Sequence, residues 1–189
     1  MNYHVNYSAL EDRLLISVEV APDQEYAMGL SRRLTKQLIG TLADLQVKRK
    51  VAELDPEKTK ASPAVRQKLE TVRSNPVVRD TVLNFEHTHA VATGIASGDT
   101  RPRPQSKPLI ASPRVVHEVK ITPQPDGGAI IRLDDKQRIL TLDLNAQRVH
   151  SLMAGILRIA GEAGWDLPVI AAWLQRAAGN VSSMPNALH

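Results

Sequence analysis

Apolar and polar positions alternate three times near the start of the chain, and then the period changes. Tyr3, Val5 and Tyr7 alternate with His4, Asn6 and Ser8, the pattern of a half-buried strand. Past the polar break at Glu11-Asp12, Leu14, Ile16, Val18 and Val20 alternate with Leu15, Ser17 and Glu19 and predict a second strand. Ala21-Pro22-Asp23-Gln24 carries turn chemistry, with Pro fixing φ and Asp able to bond nearby backbone. Tyr26, Met28 and Leu30 then mark a third strand.

Ser31 follows as a helix N-cap, its hydroxyl able to accept from an otherwise unpaired backbone N–H. Leu34, Leu38, Leu42 and Leu45, with Ile39 on the flank, form a helical stripe, and Arg32, Lys36 and Ala43 are expected to point the other way. The helix is expected to fray near Lys48-Arg49-Lys50, where basic residues suit the negative end of its dipole. Two shorter helices follow. Ser62-Pro63 opens one with a thin stripe of Val65, Leu69 and Val72. Ser74-Asn75-Pro76 opens the other, whose apolar face is read as Val78, Val82, Phe85 and His89 and whose end is set at Gly94.

Pro102, Pro104, Pro108 and Pro113 then predict an extended linker over residues 96–114. Beyond it the opening pattern returns. Val115, His117, Val119 and Ile121 alternate with Val116, Glu118 and Lys120, and Pro125-Asp126-Gly127-Gly128 makes a hairpin turn. Ile131 and Leu133 lie on a second strand, Asp134-Asp135-Lys136 turns the chain, and Leu140, Leu142 and Leu144 line a third. Asn145 caps a helix with the stripe Val149, Leu152, Met153, Ile156 and Ile159, closed by Gly161 and Gly164. A last short helix is expected from Asp166 and Pro168, carrying Ile170, Trp173 and Leu174.

Placing Ser31 on Asn145 aligns the two halves. Tyr26, Met28 and Leu30 fall on Leu140, Leu142 and Leu144, and Leu38, Ile39 and Leu42 on Leu152, Met153 and Ile156. One residue of slippage in a turn also brings Ile16 and Val18 onto Ile131 and Leu133. The predicted fold class is therefore α+β: two pseudo-repeated β-β-β-α units, each an antiparallel three-stranded meander plus an amphipathic helix, with extra helices between them. The first unit and two short helices occupy residues 1–95, the linker 96–114, the second unit and a short helix 115–179, and a tail 180–189. One sheet and one helix make a marginal core for about 50 residues, so the units are expected to pack together about a pseudo-twofold axis.

Composition sharpens this reading at three points. Aromatics are confined to Tyr3, Tyr7, Tyr26, Phe85, Trp165 and Trp173, so the core is aliphatic. The 189 residues include no cysteine, which excludes disulfides, thiolate metal sites and a cysteine nucleophile. Formal net charge is +4, but residues 30–79 alone hold twelve basic against five acidic side chains. No secretory leader and no stretch of about 18 apolar residues is read in the sequence, so a cytoplasmic protein that does not enter membranes is expected.

Candidate chemistry is thin. His87 and His89, two apart on a helix, point about 200° from each other and cannot share a metal. Asp134-Asp135 and Glu11-Asp12 read as turns rather than converging carboxylates. No phosphate-cradling or nucleophile motif occurs, and neither a catalytic residue, a metal site nor a cofactor is expected. What remains is the basic cluster Arg32, Arg33, Lys36, Lys48, Arg49 and Lys50, of which Arg32 and Arg33 stand in a first turn against the helix dipole. The expected function is a non-enzymatic interaction or assembly protein whose partners are proteins, itself included. The alternative is a module binding single-stranded nucleic acid through the basic 30–79 region. Duplicated sheet-plus-helix units are found in single-strand binders of the Whirly type, a likeness of architecture alone.

Overall fold

The computed structural model describes residues 3–21, 24–55, 62–96, 113–167, 171, 173 and 174. Three strands, β1 (Tyr3–Ser8), β2 (Arg13–Ala21) and β3 (Gln24–Leu30), form an antiparallel meander that leads into α1 (Arg32–Glu53). Helices α2 (Pro63–Ser74) and α3 (Pro76–Ala96) follow, then the two-residue strand β4 (Arg114–Val115). A second meander of β5 (Glu118–Pro123), β6 (Ala129–Asp134) and β7 (Ile139–Leu144) leads into α4 (Ala146–Glu162). The fold is thus mixed α+β, with β-β-β-α written twice.

Cross-strand register identifies equivalent positions in the two units. Ile16 lies opposite Met28 and Ile131 opposite Leu142; Val18 faces Tyr26 and Leu133 faces Leu140. One strand outward, Val5 pairs with Ile16 and Ile121 with Ile131. The one-residue slippage also has a physical basis: the β2–β3 ladder shifts register between Glu19 and Ala21, absorbing the extra residue as an irregularity. Each helix starts on the same device. The Ser31 hydroxyl accepts from the Leu34 N–H, and the Asn145 side-chain oxygen accepts from the Arg148 N–H.

The helices pack across the repeat. Helix α1 lies against β5 as well as β2 and β3, while α4 lies against β1 and β2 as well as β7, and the two helices touch. One continuous hydrophobic core results, with Leu14, Ile16, Met28, Leu38 and Leu42 in the same cluster as Ile131, Leu142, Leu152 and Ile156. The hydroxyl of Tyr3 donates to the Arg148 carbonyl at 3.1 Å, a further tie between units.

Several expectations need correction. Ala43 faces the core, because α1 is covered on two sides, and α1 continues through Lys50 to Glu53 instead of fraying there. The segment 115–121 is not one strand. Val116 is buried and donates its N–H to the Gly29 carbonyl at 2.9 Å, whereas His117 donates to Asp134. The chain passes from one sheet to the other between these residues, so the alternation breaks and Val115 points out. Helix α3 buries Leu83, His87 and Val91, about half a turn away from the expected face, and leaves Phe85 71% exposed with His89 stacked on it. It also runs past Gly94, which lies against Ser151 of α4, to Ala96. Helix α3 packs on the body through α1 and α4; α2 packs on α3, its Arg73 also reaches Asp55 past the end of α1 at 3.9 Å, and none of its residues is buried.

Both aspartate turns form as read: Asp135 accepts from the N–H groups of Gln137 and Arg138, and Asp12 adopts a left-handed φ of 48°. The glycine turn also forms, with Gly127 at φ 84° and Gly128 donating to the Asp126 carboxylate. Pro22-Asp23, residues 97–112 of the expected linker, most of the expected last helix and the tail lie outside the described residues. Trp173 and Leu174 are fully buried against the core.

Because one core serves both units, large-to-small changes in either helix should cost alike. Leu38→Ala and Ile156→Ala, both at side chains with no exposure, should each destabilise by about 2–5 kcal/mol in chemical denaturation. A loss below about 0.5 kcal/mol for either would mean that its helix face is not part of the core.

Candidate functional site

The six basic residues of α1 fall into three groups. Arg32 turns back over the β1–β2 turn, where its guanidinium pairs with Asp12 at 3.1 Å and lies 5.3 Å from the centre of the Trp165 ring. Asp12 also accepts from the Tyr7 hydroxyl at 2.7 Å and the Trp165 indole N–H at 2.9 Å. The Tyr7 hydrogen bond, then those from Trp165 and Arg32, hold the Asp12 carboxyl low, at about 2. A basic residue in the first turn therefore has a structural reason: it joins β1, α1 and the end of α4.

Arg49 and Lys50 belong to a second group, at the seam between α1 and α3. Lys50 is buried and bonds Glu53 at 2.8 Å and also Glu86; Arg49 bonds Glu86 at 2.9 Å and Glu53 at 3.2 Å. Buried cations are retained when carboxylates pair them this closely, and removing one partner leaves a stranded charge. Arg49 also lies over Gly127, where an added Cβ would come 2.6 Å from its Cδ. Gln46 donates to the Gly127 carbonyl at 3.2 Å, so the β5–β6 hairpin is fastened to α1 from two directions.

Arg33, Lys36 and Lys48 make the third group. They are exposed and have no ion pair among the described residues. They do not form a compact patch: Arg33 and Lys48 stand about 22 Å apart along the helix axis, and the exposed Asp44 lies between them in the sequence.

Sequence reading missed the most unusual polar contact in the molecule. Nδ1 of His87 on α3 lies 3.0 Å from Nδ1 of His150 on α4, both rings are buried, and Trp173 packs edgewise on each. One imidazole must donate to the other, so a neutral pair satisfies the contact and a doubly protonated pair breaks it. Burial lowers His87 to about 4. Burial, then His87 itself and the nearby Arg49 and Lys50, lower His150 to about 3. The signal was available: Leu83, His87 and Val91 recur every four residues, but the set containing Phe85 looked more apolar. No group of three or more metal-ligating side chains occurs among the described residues.

The surface elsewhere offers two kinds of feature. An open cleft of about 570 Å³ at the α2–α3 bend is lined by Gln67, Glu70, Thr71, Ser74, Asn75 and Pro76, with Glu70 its one ionisable group. On the same two helices, large apolar side chains face solvent: Val65 on α2 is 45% exposed, and on α3 Val77 is 64% and Phe85 71% exposed. No described helix is long and apolar enough to cross a membrane. Comparison with protein-family models, with curated proteins and with solved structures returned no match.

The histidine pair sets a pH dependence with a definite sign. Its folded-state pKa values lie below the ordinary 6.5, so below pH 6.5 the unfolded chain binds more protons than the native one. Stability should fall as pH drops from 6.5 toward 4, by about 1.4 kcal/mol per pH unit for each imidazole. Replacing both with leucine should flatten this part of the stability profile. An unchanged slope in the double variant would show that the pair is not buried neutral.

Proposed function

We propose that this protein works without catalysis, as an interaction or assembly module that binds protein partners, copies of itself included, in the cytoplasm. The observation that carries this reading is the α2–α3 arm. Helix α2 has an apolar stripe of Val65, Leu69 and Val72, of which Val65 is exposed and Leu69 and Val72 are only half-buried, and Val77 and Phe85 of α3 are exposed as well. An amphipathic helix owes most of its stability to packing its apolar face, so an arm that leaves large apolar side chains exposed is suited to packing against a partner. The charged and imidazole clusters support the same reading, since each is committed to holding elements together. The lack of cysteine fits a reducing compartment such as the cytoplasm.

A nucleic-acid reading draws on Arg33, Lys36 and Lys48, which remain exposed on α1. Three of the six basic residues that would have supplied phosphate contacts are tied up in pairs with Asp12, Glu53 and Glu86. Single-strand binders also stack bases on aromatic rings. Tyr3, Tyr7 and Tyr26 are packed against the core instead. The assembly reading is therefore preferred.

Sedimentation of the full chain across a range of concentrations, with and without a single-stranded oligonucleotide, tests this choice. The assembly reading expects a mass above that of one chain, unchanged by the oligonucleotide. A monomer that binds the oligonucleotide in a salt-sensitive manner would contradict it, particularly if Arg33→Ala with Lys36→Ala lowers the salt slope by about two units.

A further inference from the structure

The two units differ at one place in their sheets. In the first, the outer edge of β3 is covered by β4, which runs parallel to it with Arg114 beside Met28 and Val115 beside Gly29. The Gly29 carbonyl there receives the Val116 N–H. The equivalent strand of the second unit is β7, where Leu142 and Asp143 stand for Met28 and Gly29, and among the described residues no strand pairs with its outer edge.

Which backbone groups that edge presents follows from the ladder. Asp135 donates its N–H to the Arg138 carbonyl, and hydrogen-bonded pairs alternate along an antiparallel ladder. Leu140, Leu142 and Leu144 therefore bond inward to β6, while Ile139, Thr141 and Asp143 turn their N–H and C=O groups outward. Gly29, the counterpart of Asp143, turns its carbonyl outward in the same way. All three outward residues also have exposed side chains, Ile139 by 59%.

Proteins blunt exposed edges with lysine, proline, bulges or extreme shortness. The sequence Ile-Leu-Thr-Leu-Asp-Leu of β7 has no lysine and no proline, pairs with β6 without a register shift, and is six residues long. One edge strand of the first sheet is treated differently: β4 has only two residues, with Arg114 paired to Asp135.

We propose that the outer edge of β7 is the interface between two copies of this chain, joined antiparallel about a twofold axis at Thr141 into one continuous six-stranded sheet. The strand is self-complementary in that register. Thr141 meets Thr141 of the other copy, a favourable cross-strand pair. Leu140 meets Leu142, and Asp143 meets Ile139, so the two carboxylates stay apart. About six backbone hydrogen bonds form. A twofold pairing closes on itself, whereas a parallel addition like that of β4 would leave a new edge open. This inference names the partner within the assembly reading and rests on it.

Substitutions at Thr141 test the interface. Thr141→Pro removes an outward N–H and leaves the β6–β7 ladder intact, so it should raise the dimer dissociation constant at least tenfold with the circular dichroism spectrum retained. Thr141→Lys and Thr141→Glu, which tolerate any strand geometry better than proline does, should each be monomeric, and mixing the two should restore a dimer. A dimer that withstands all three variants, or charge variants that fail to recombine when mixed, would overturn the proposal while leaving assembly through another surface in place. A wild-type chain that stays monomeric at every concentration overturns it as well, and a salt-sensitive complex of that monomer with single-stranded DNA would remove the assembly reading itself.

Discussion

Three short antiparallel strands have one face to bury, and a single helix covers only part of it. That shortage of apolar partners governs everything else in this molecule. It is met by crossing the helices over: α1 reaches β5 and α4 reaches β1, so each unit completes the core of the other. Leucine and isoleucine side chains worth roughly 1.5–3 kcal/mol each when buried thus fall into a single cluster drawn from both halves. Neither half has a separate core to fall back on.

The polar chemistry follows from this arrangement. Crossing helices create seams where backbone and side-chain groups must be satisfied away from water, and each seam holds one charged or imidazole cluster. Asp12 gathers Tyr7, Arg32 and Trp165 at the join of β1, α1 and the end of α4. Glu86 gathers Arg49 and Lys50 where α3 meets α1, and His87 meets His150 where α3 meets α4. In the turn beyond β6, burial pushes the Asp135 carboxyl up, but the N–H groups of Gln137 and Arg138 outweigh it and hold the group ionised. These residue types would suit catalysis elsewhere. Here each of these clusters is matched to a structural partner, while Arg33, Lys36 and Lys48 on α1 and apolar side chains such as Val77 and Phe85 on α3 remain exposed.

Local patterns in the sequence were informative wherever one element's own neighbours decided its face. The strands of both meanders, the caps at Ser31 and Asn145 and the turns at Asp126-Gly127 and Asp134-Asp135 all follow from period and turn chemistry. The errors share a cause: packing from distant parts of the chain. Ala43 looked outward because the second covering of α1 comes from the other unit. Val116 broke the alternation of 115–121 because the chain changes sheets there. The α3 face was misplaced because His87 is paid for by a partner 63 residues away. The basic cluster looked like one surface because nothing in the sequence ties Arg32 to Asp12 or Lys50 to Glu86.

Mutual completion of the two units makes a strong statement about cooperativity, since neither sheet can lose its cover alone. Scanning calorimetry of the full chain measures this most directly. One transition, with calorimetric and van't Hoff enthalpies equal, is the result expected of a single shared core. Two resolved transitions, or a van't Hoff enthalpy near half the calorimetric one, would contradict it and show two units that fold independently.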